Sequence, residues 1–252
     1  MSDQQQQTVA NWLGAARRVR FITGAGVSAE SGIPTFRGST AAFANGLTED
    51  GIRFEDALSG PFFARNPQRA WKYFFNIEKT IRGKLPNAAH HAIAALQQSK
   101  RQVIVATQNI DGLHQAAGSA DVIELHGNLF RIVCTECDYR SHSPTFEKLP
   151  ALPRCPQCRA VLRPDIVLYD EMLPEPALES FALEQEKGFD LVVSVGTTSI
   201  FHYVTEPILI AARRGIPTVE INPEETSLSG TVDVRLPSRA GPALQDLVQR
   251  IC

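Results

Sequence analysis

The chain has no apolar run long enough to cross a bilayer; its longest candidates, 103–106 and 191–195, are of strand length. It also lacks an excess of either charge, with 25 Lys and Arg against 27 Asp and Glu and a formal net charge of −2. Neither nucleic acid nor an anionic membrane is therefore an expected partner. Five cysteines among 252 residues are too few for a disulfide scaffold. There is no internal repeat, and Gln4 to Gln7 is the one low-complexity run. Met1 to Ala10 is polar and lacks the basic and then apolar segments of a secretory leader. Its first residues are expected to fray, and the protein to be soluble and cytoplasmic.

What remains is ordinary globular composition, 43% apolar and 21% charged, enough for one large core or a large domain carrying a small one. Short runs rich in β-branched residues predict strands at 19–23, 102–107, 122–125, 191–195, 217–221 and 232–236. Helical spacing appears between them at 87–99, 205–214 and 242–251. Strands alternating with helices predict an α/β fold, a doubly wound parallel sheet covered on both faces. Two stretches break that rhythm. Residues 38–86 are aromatic-rich, with helical pieces near 53–58 and 67–81; residues 131–163 hold four cysteines and several prolines. Both are assigned to a smaller inserted module. The expected division is 1–37, 86–128 and 164–252 for the larger domain, and 38–85 and 129–163 for the smaller.

The first strand runs into Gly24-Ala25-Gly26-Val27-Ser28-Ala29, the G-x-G-x-x-A spacing of a dinucleotide-binding turn. Gly24 permits a tight turn, Gly26 lets backbone approach a diphosphate, and Ala29 lets the next helix pack closely. The helix N-terminus would offer free N–H groups to phosphate. Taken alone, glycines after a strand are more often a plain turn. A hydride-transfer enzyme would also carry an acidic residue for the ribose about 20 residues on, at the end of a second strand. No such strand follows Pro34 to Gly38, which counts against a dehydrogenase.

Cys134-x-x-Cys137 and Cys155-x-x-Cys158 are seventeen residues apart, a zinc-knuckle spacing. Four thiolates make a closed tetrahedral site that cannot activate water, so one structural Zn2+ is expected. The residues around the knuckles are not basic, which lowers the reading as a nucleic-acid-binding ribbon.

Gly24 to Arg37 resembles the sirtuin signature G-A-G-x-S-x-x-S-G-I-P-x-F-R. Thr107 to His114 resembles the family's Q-N-I-D segment, and Glu124 to Asn128 its catalytic H-G segment. The cysteine pairs, Val195 to Ser199 and Glu220 to Asn222 follow in the family's order, so the similarity spans roughly residues 14 to 250. The resemblance implies a Rossmann-like domain with a small zinc-binding module, and a cleft between them where NAD and substrate meet. It implies NAD-dependent protein-lysine deacylation: acyl-lysine and NAD give free lysine, nicotinamide and O-acyl-ADP-ribose. Acylated-lysine proteins or peptides are the implied partners and NAD the co-substrate.

By the same resemblance His126 is the catalytic base, with Asn109 also catalytic. The implied cofactor-binding residues are Gly24, Ala25, Gly26, Ser28, Glu30, Ser31, Thr35, Phe36, Arg37, Gln108, Asn109, Ile110 and Asp111, followed by Gly196, Thr197, Thr198, Ser199, Asn222, Pro223 and Glu224. Val167 and Tyr169 belong to a segment that pairs with substrate backbone as an added strand. Phe74 and Ile77 fall where desuccinylases carry a Tyr and an Arg. Neither neutralises a carboxylate, so acetyl or longer apolar acyl groups are expected over succinyl; both also suit the core of an amphipathic helix. Two departures stand out. Tyr169-Asp170-Glu171 replaces the usual F-G-E, and Tyr203 replaces the usual Pro after the G-T-S loop. Mono-ADP-ribosyl transfer, which would use the same NAD site, and a non-catalytic NAD- or zinc-binding protein are the alternatives.

Overall fold

The computed structural model describes residues 2–35, 46–99 and 101–251. The described strands are β1 (Arg18–Thr23), β2 (Gln102–Thr107), β3 (Val122–Glu124), β4 (Gly127–Cys134), β5 (Arg140–His142), β6 (Leu162–Ile166), β7 (Leu191–Val195), β8 (Thr218–Ile221) and β9 (Val234–Leu236). The described α-helices are α1 (Asp3–Ala15), α2 (Ala25–Ser28), α3 (Phe54–Ala57), α4 (Gly60–Arg65), α5 (Pro67–Ile81), α6 (Ala88–Gln98), α7 (Leu113–Ala116), α8 (Glu175–Glu186), α9 (His202–Arg213) and α10 (Ala240–Ile251).

Six strands form one parallel sheet in the order β3-β2-β1-β7-β8-β9. Successive side chains of a strand point to opposite faces, and here both faces are covered. Val19 and Phe21 of β1, with Val105, Val193 and Val219, meet Leu13 of α1, Ile93 of α6 and Leu244 of α10. Ile22 and Val192 turn the other way, onto Val204 and Ile208 of α9. Arg20 also lies on that second face, buried between the rings of Phe181 and Phe189 at 4.4 and 4.1 Å. Each strand predicted from β-branched composition is present in this sheet.

The chain start differs from expectation. Instead of a frayed tail, α1 begins at Asp3, where Ser2 and Gln5 form a reciprocal capping box. Val9, Ala10 and Leu13 then bury one stripe of the helix in the main core. The polar run masks an amphipathic helix whose apolar positions come late.

The second sheet is small and antiparallel, in the order β5-β4-β6. It packs with α3, α4 and α5 around an aromatic core of Phe63, Trp71, Phe74 and Phe146. The Trp71 indole N–H donates to the Leu162 carbonyl at 2.7 Å. Strands β4 and β6 run across the boundaries expected at 128/129 and 163/164, so the small sheet begins directly after His126. Among the described residues no helix is long and apolar enough to cross a membrane.

Candidate active site

Counting only the strands of the large sheet, the order is 3-2-1-4-5-6, which reverses direction between β1 and β7. Ligands of open α/β sheets bind in the crevice beyond the carboxyl ends of the strands at such a point. Here a cavity of about 920 Å³ opens there, lined by Gly24, Ala25 and Gly26 after β1 and by Gly196, Thr197 and Thr198 after β7. The two loops touch. A Cβ on Gly26 would stand 2.6 Å from the Gly196 Cα, and one on Gly24 would stand 2.9 Å from the Thr197 Cα. The glycines are thus required by loop-on-loop packing, not by ligand approach alone. The expected helix N-terminus is also largely spent. Helix α2 is a single turn, the Gly26 N–H donates to Gly196 and the Val27 N–H to Gly24.

Behind these loops lies a buried polar cluster at the ends of β1 and β2. The Asn109 amide donates to Ser28 Oγ at 3.0 Å, and Ser28 Oγ donates to the Asp111 carboxylate at 2.6 Å. Asp111 also accepts the Leu113 N–H. Burial raises its pKa, which the Ser28 hydrogen bond opposes. His90 and His114 complete the cluster, ring to ring at 4.9 Å, with His114 Nε2 3.0 Å from Thr23 Oγ1. Burial pushes their pKa values down to about 3 and about 4. A second cavity of about 380 Å³, lined by Ala25, Ser28, Asn109, Ile110 and Asp111, adjoins this cluster.

His126 stands where the chain leaves the large sheet for the small one and lines the larger cavity. Gly127, at φ +76°, makes the turn; a Cβ there would sit 2.0 Å from the Asp165 carbonyl oxygen, so only glycine keeps β4 paired to β6. The His126 carbonyl accepts the Val167 N–H at 3.0 Å. Burial lowers the imidazole's pKa, opposed by a hydrogen bond with the Gln108 backbone. The ring is neutral at pH 7.

Val167 and Tyr169 continue from β6 along the cavity rim, beside Leu168 and Ile77. Phe74 does not join them. It is fully buried, edge-on to Trp71 at 5.6 Å and against Phe63, so of its two readings the helix core holds. Asp170 adopts φ +65°, the left-handed conformation that glycine favours and that Asp tolerates better than most residues. Arg163 braces the loop from below by pairing with Glu171 at 2.6 Å.

Most other expected cofactor residues line the larger cavity: Glu30, Thr35, Gln108, Ile110, Asn222, Pro223 and Glu224. Asn222 ties the loops together by donating to the Thr197 carbonyl at 2.8 Å. Ser31 and Ser199 line neither cavity. Ser31 Oγ accepts from Asn87, while Ser199 is buried at φ +55° with its carbonyl accepting from Ser227. Phe36 and Arg37 lie outside the described residues.

The sequence profile of the Sir2 family matches residues 24–202. The chain belongs to the Sir2 family. It is 45% identical over 249 residues to NAD-dependent protein deacylase 2 of Pseudomonas aeruginosa, covering 97% of this chain and 96% of that one. It is 38% identical to NAD-dependent protein deacylase 1 of Archaeoglobus fulgidus, with 91% of each chain covered. Among solved structures, a Sir2 homologue variant in complex with ADP-ribose superposes with a TM-score of 0.89 at 34% identity, covering 100% of this chain and 96% of that one. A Sir2 complex with a p53 peptide and NAD+ gives 0.84 at 28% identity, over 97% of each chain.

This Sir2 chain also carries the metal site its cysteine spacing predicts. The ligand atoms of Cys134, Cys137, Cys155 and Cys158 all lie within 4.8 Å of one another, with Cys134–Cys158 at 3.4 Å and Cys137–Cys155 at 3.6 Å. A disulfide would need about 2.05 Å. Four sulfurs at about 2.3 Å from a tetrahedral Zn2+ stand about 3.8 Å apart, so the cluster fits one structural zinc. Sequence reasoning does not single out Phe201 or assign Tyr203 a role, yet both rings stand edge-on to His126 in this Sir2 fold. The one signal for Tyr203 is its departure from the family pattern.

Proposed function

We propose that this protein removes acetyl or other apolar acyl groups from protein lysine side chains with NAD as co-substrate. The products, with water consumed, are free lysine, nicotinamide and O-acyl-ADP-ribose. One observation carries this reading: a half-buried, neutral His126 opens onto a cavity running from the paired glycine loops to Val167 and Tyr169.

NAD, when bound, supplies the ribose carbon that the acyl oxygen joins as the bond to nicotinamide breaks. The remaining work falls to the chain. Gly24 to Gly26 and Gly196 to Thr198 form the floor beneath the diphosphate, and Asn222 to Glu224 flank the adenosine ribose. Asn109 and Asp111, held by Ser28, line the nicotinamide pocket with Ile110 as an apolar wall. His126 takes a proton from a ribose hydroxyl, which a neutral imidazole does efficiently near pH 7. The Val167 carbonyl pairs with substrate main chain in this reading, so recognition is tolerant of peptide sequence. The Tyr169 N–H and carbonyl are bonded to Leu58 and Gly60 and leave that residue its side chain to offer. In this reading the expected division, 1–37, 86–128 and 164–252 for nucleotide binding and 38–85 with 129–163 for the zinc-bearing unit, is shifted so that 127–128 and 164–166 go with the small sheet. The cytoplasm, where thiols stay reduced, suits its four thiolates.

Around the acyl end the lining is Ile77, Val167, Leu168 and Tyr169. Among the described residues, Arg239 is the one Lys or Arg lining this cavity, and it leads into α10 away from β6. A succinyl carboxylate would be buried unpaired. The test is a peptide panel with and without NAD. Acetyl-lysine should be cleaved with equimolar nicotinamide release, at least about tenfold faster than succinyl-lysine, and His126→Ala should cost about 10²- to 10⁴-fold. Nicotinamide release without deacylation would instead indicate ADP-ribosyl transfer and overturn the reading.

A further inference from the structure

His126 is not idle in this structure. Its Nε2 lies 2.6 Å from the Tyr203 hydroxyl. Tyr203 stacks on Phe201 with ring centroids 5.4 Å apart and planes 13° from parallel, and both rings are edge-on to the imidazole. The proton positions follow from chemistry. Burial, reinforced by Tyr169 nearby, raises the Tyr203 pKa, so the phenol keeps its proton. For Nε2 to act as the base, the neutral ring carries its hydrogen on the other nitrogen, the tautomer in which Nε2 can accept from the phenol. Nε2 is then the unprotonated nitrogen, and the phenol donates to it.

An unprotonated imidazole nitrogen offers one lone pair, in the plane of the ring. While the Tyr203 phenol occupies it, no sugar hydroxyl can hand a proton to Nε2. We propose that Tyr203 is a positioning residue that holds the acceptor nitrogen of His126 in the ligand-free protein and yields it to the ribose hydroxyl of NAD. The proposal rests on reading His126 as the base.

The fold makes that exchange inexpensive. Tyr203 is in the first turn of α9, and the residue four positions on is Pro207, inside the helix. Proline has no N–H to give to the Tyr203 carbonyl, and its ring crowds that carbonyl. The turn is held through the Phe201 and His202 carbonyls, which accept from Val204 and Thr205, but the Tyr203 carbonyl itself gets no bond from the residue four positions on. Tyr203 is also only half-buried and lines the main cavity, so a displaced hydroxyl can reach water.

The proposal predicts competition between one phenol and one sugar hydroxyl. Calorimetric titration of ADP-ribose into the wild type, Tyr203→Phe, His126→Ala and the double variant measures it. Tyr203→Phe should tighten ADP-ribose by about three- to tenfold, the scale of one net hydrogen bond. On the His126→Ala background the same change should do nothing, because the contested lone pair is gone. A role confined to packing would weaken binding or leave it unchanged, and either result overturns the proposal, as does a gain that persists without His126. Should the Phe variant fold poorly, Tyr203→Leu removes the donor equally and takes its place. Deacylation by His126→Ala reports separately on the base: full activity there rejects His126 as base, whereas the binding cycle reads only the hydrogen bond.

Discussion

The two sheets of this protein are built on opposite plans. Every residue of β7 and β8 is buried, and β1 and β2 are buried after their first residue, because helices cover the large sheet on both faces. In β6 buried and partly exposed residues alternate strictly, so the small sheet has one covered face. The large core is chiefly aliphatic and spans the whole sheet. The small core is a knot of aromatic rings centred on Trp71, and beyond it the chain of 134–158 is mostly loop, gathered at four sulfurs. A large aliphatic core holds itself together by area; a small loop-rich one needs a cross-link, which the metal supplies. His126 lies at the junction, so it inherits its position from both.

The largest test of this contrast is removal of the metal. A structural zinc site contributes on the order of 10 kcal/mol in small modules. Chelation, or Cys155→Ser, should therefore unfold the small sheet while the large one persists. Hydrogen exchange should show β4 to β6 losing protection with β1, β2, β7 and β8 still protected, and deacylation should disappear with the Val167–His126 contact. Joint loss of protection in both sheets would mean that the two cores are one cooperative unit.

A smaller effect is expected from acid, and it should strike the large sheet. His90 and His114 are buried uncharged, with pKa values of about 3 and about 4 against an ordinary 6.5. A histidine whose folded pKa is depressed favours folding above the unfolded value, and that contribution is lost as pH falls from about 6.5 toward 4 and 3. Each can add a slope of up to about 1.4 kcal/mol per pH unit in that window. Asp111, raised by burial, acts in the opposite sense, since its carboxylate destabilises the fold above its unfolded pKa. The denaturation midpoint should drop between pH 7 and 5, and His90→Gln should flatten the drop. An equal drop in the variant would place the acid sensitivity elsewhere.

The same contrast between the sheets governs how much of each is legible in the amino-acid sequence. The large sheet can be read strand by strand, because burial on both faces writes continuous β-branched runs such as Leu191 to Val195 into the chain. The zinc site can be read because chelation fixes spacing. The N-terminal helix cannot, since its buried residues Val9, Ala10 and Leu13 follow a run of glutamines that carry no hydrophobic period. Nor can the placement of Phe74, because a residue on an amphipathic helix can face a core or a cleft with the same spacing, and only the aromatic packing around Trp71 decides. The Tyr203–His126 bond joins residues 77 apart and has no local signature at all.

The smallest effect should come from Asp170. Its φ of +65° costs most residues about 1–2 kcal/mol, though Asp tolerates that conformation better than most. Asp170→Gly relieves that strain but gives the unfolded chain more freedom, a penalty of about 0.5–1 kcal/mol. The two nearly cancel, so thermal unfolding should shift upward by no more than about 2 °C. Gly127 shows why the near-cancellation is local. Its φ of +76° is similar, but there a Cβ would meet the Asp165 carbonyl oxygen at 2.0 Å, so space as well as strain demands glycine. A clear loss of stability in Asp170→Gly would mean that the carboxylate itself holds the loop, and that the left-handed turn beside the peptide edge is built by side-chain bonding instead of tolerated by it.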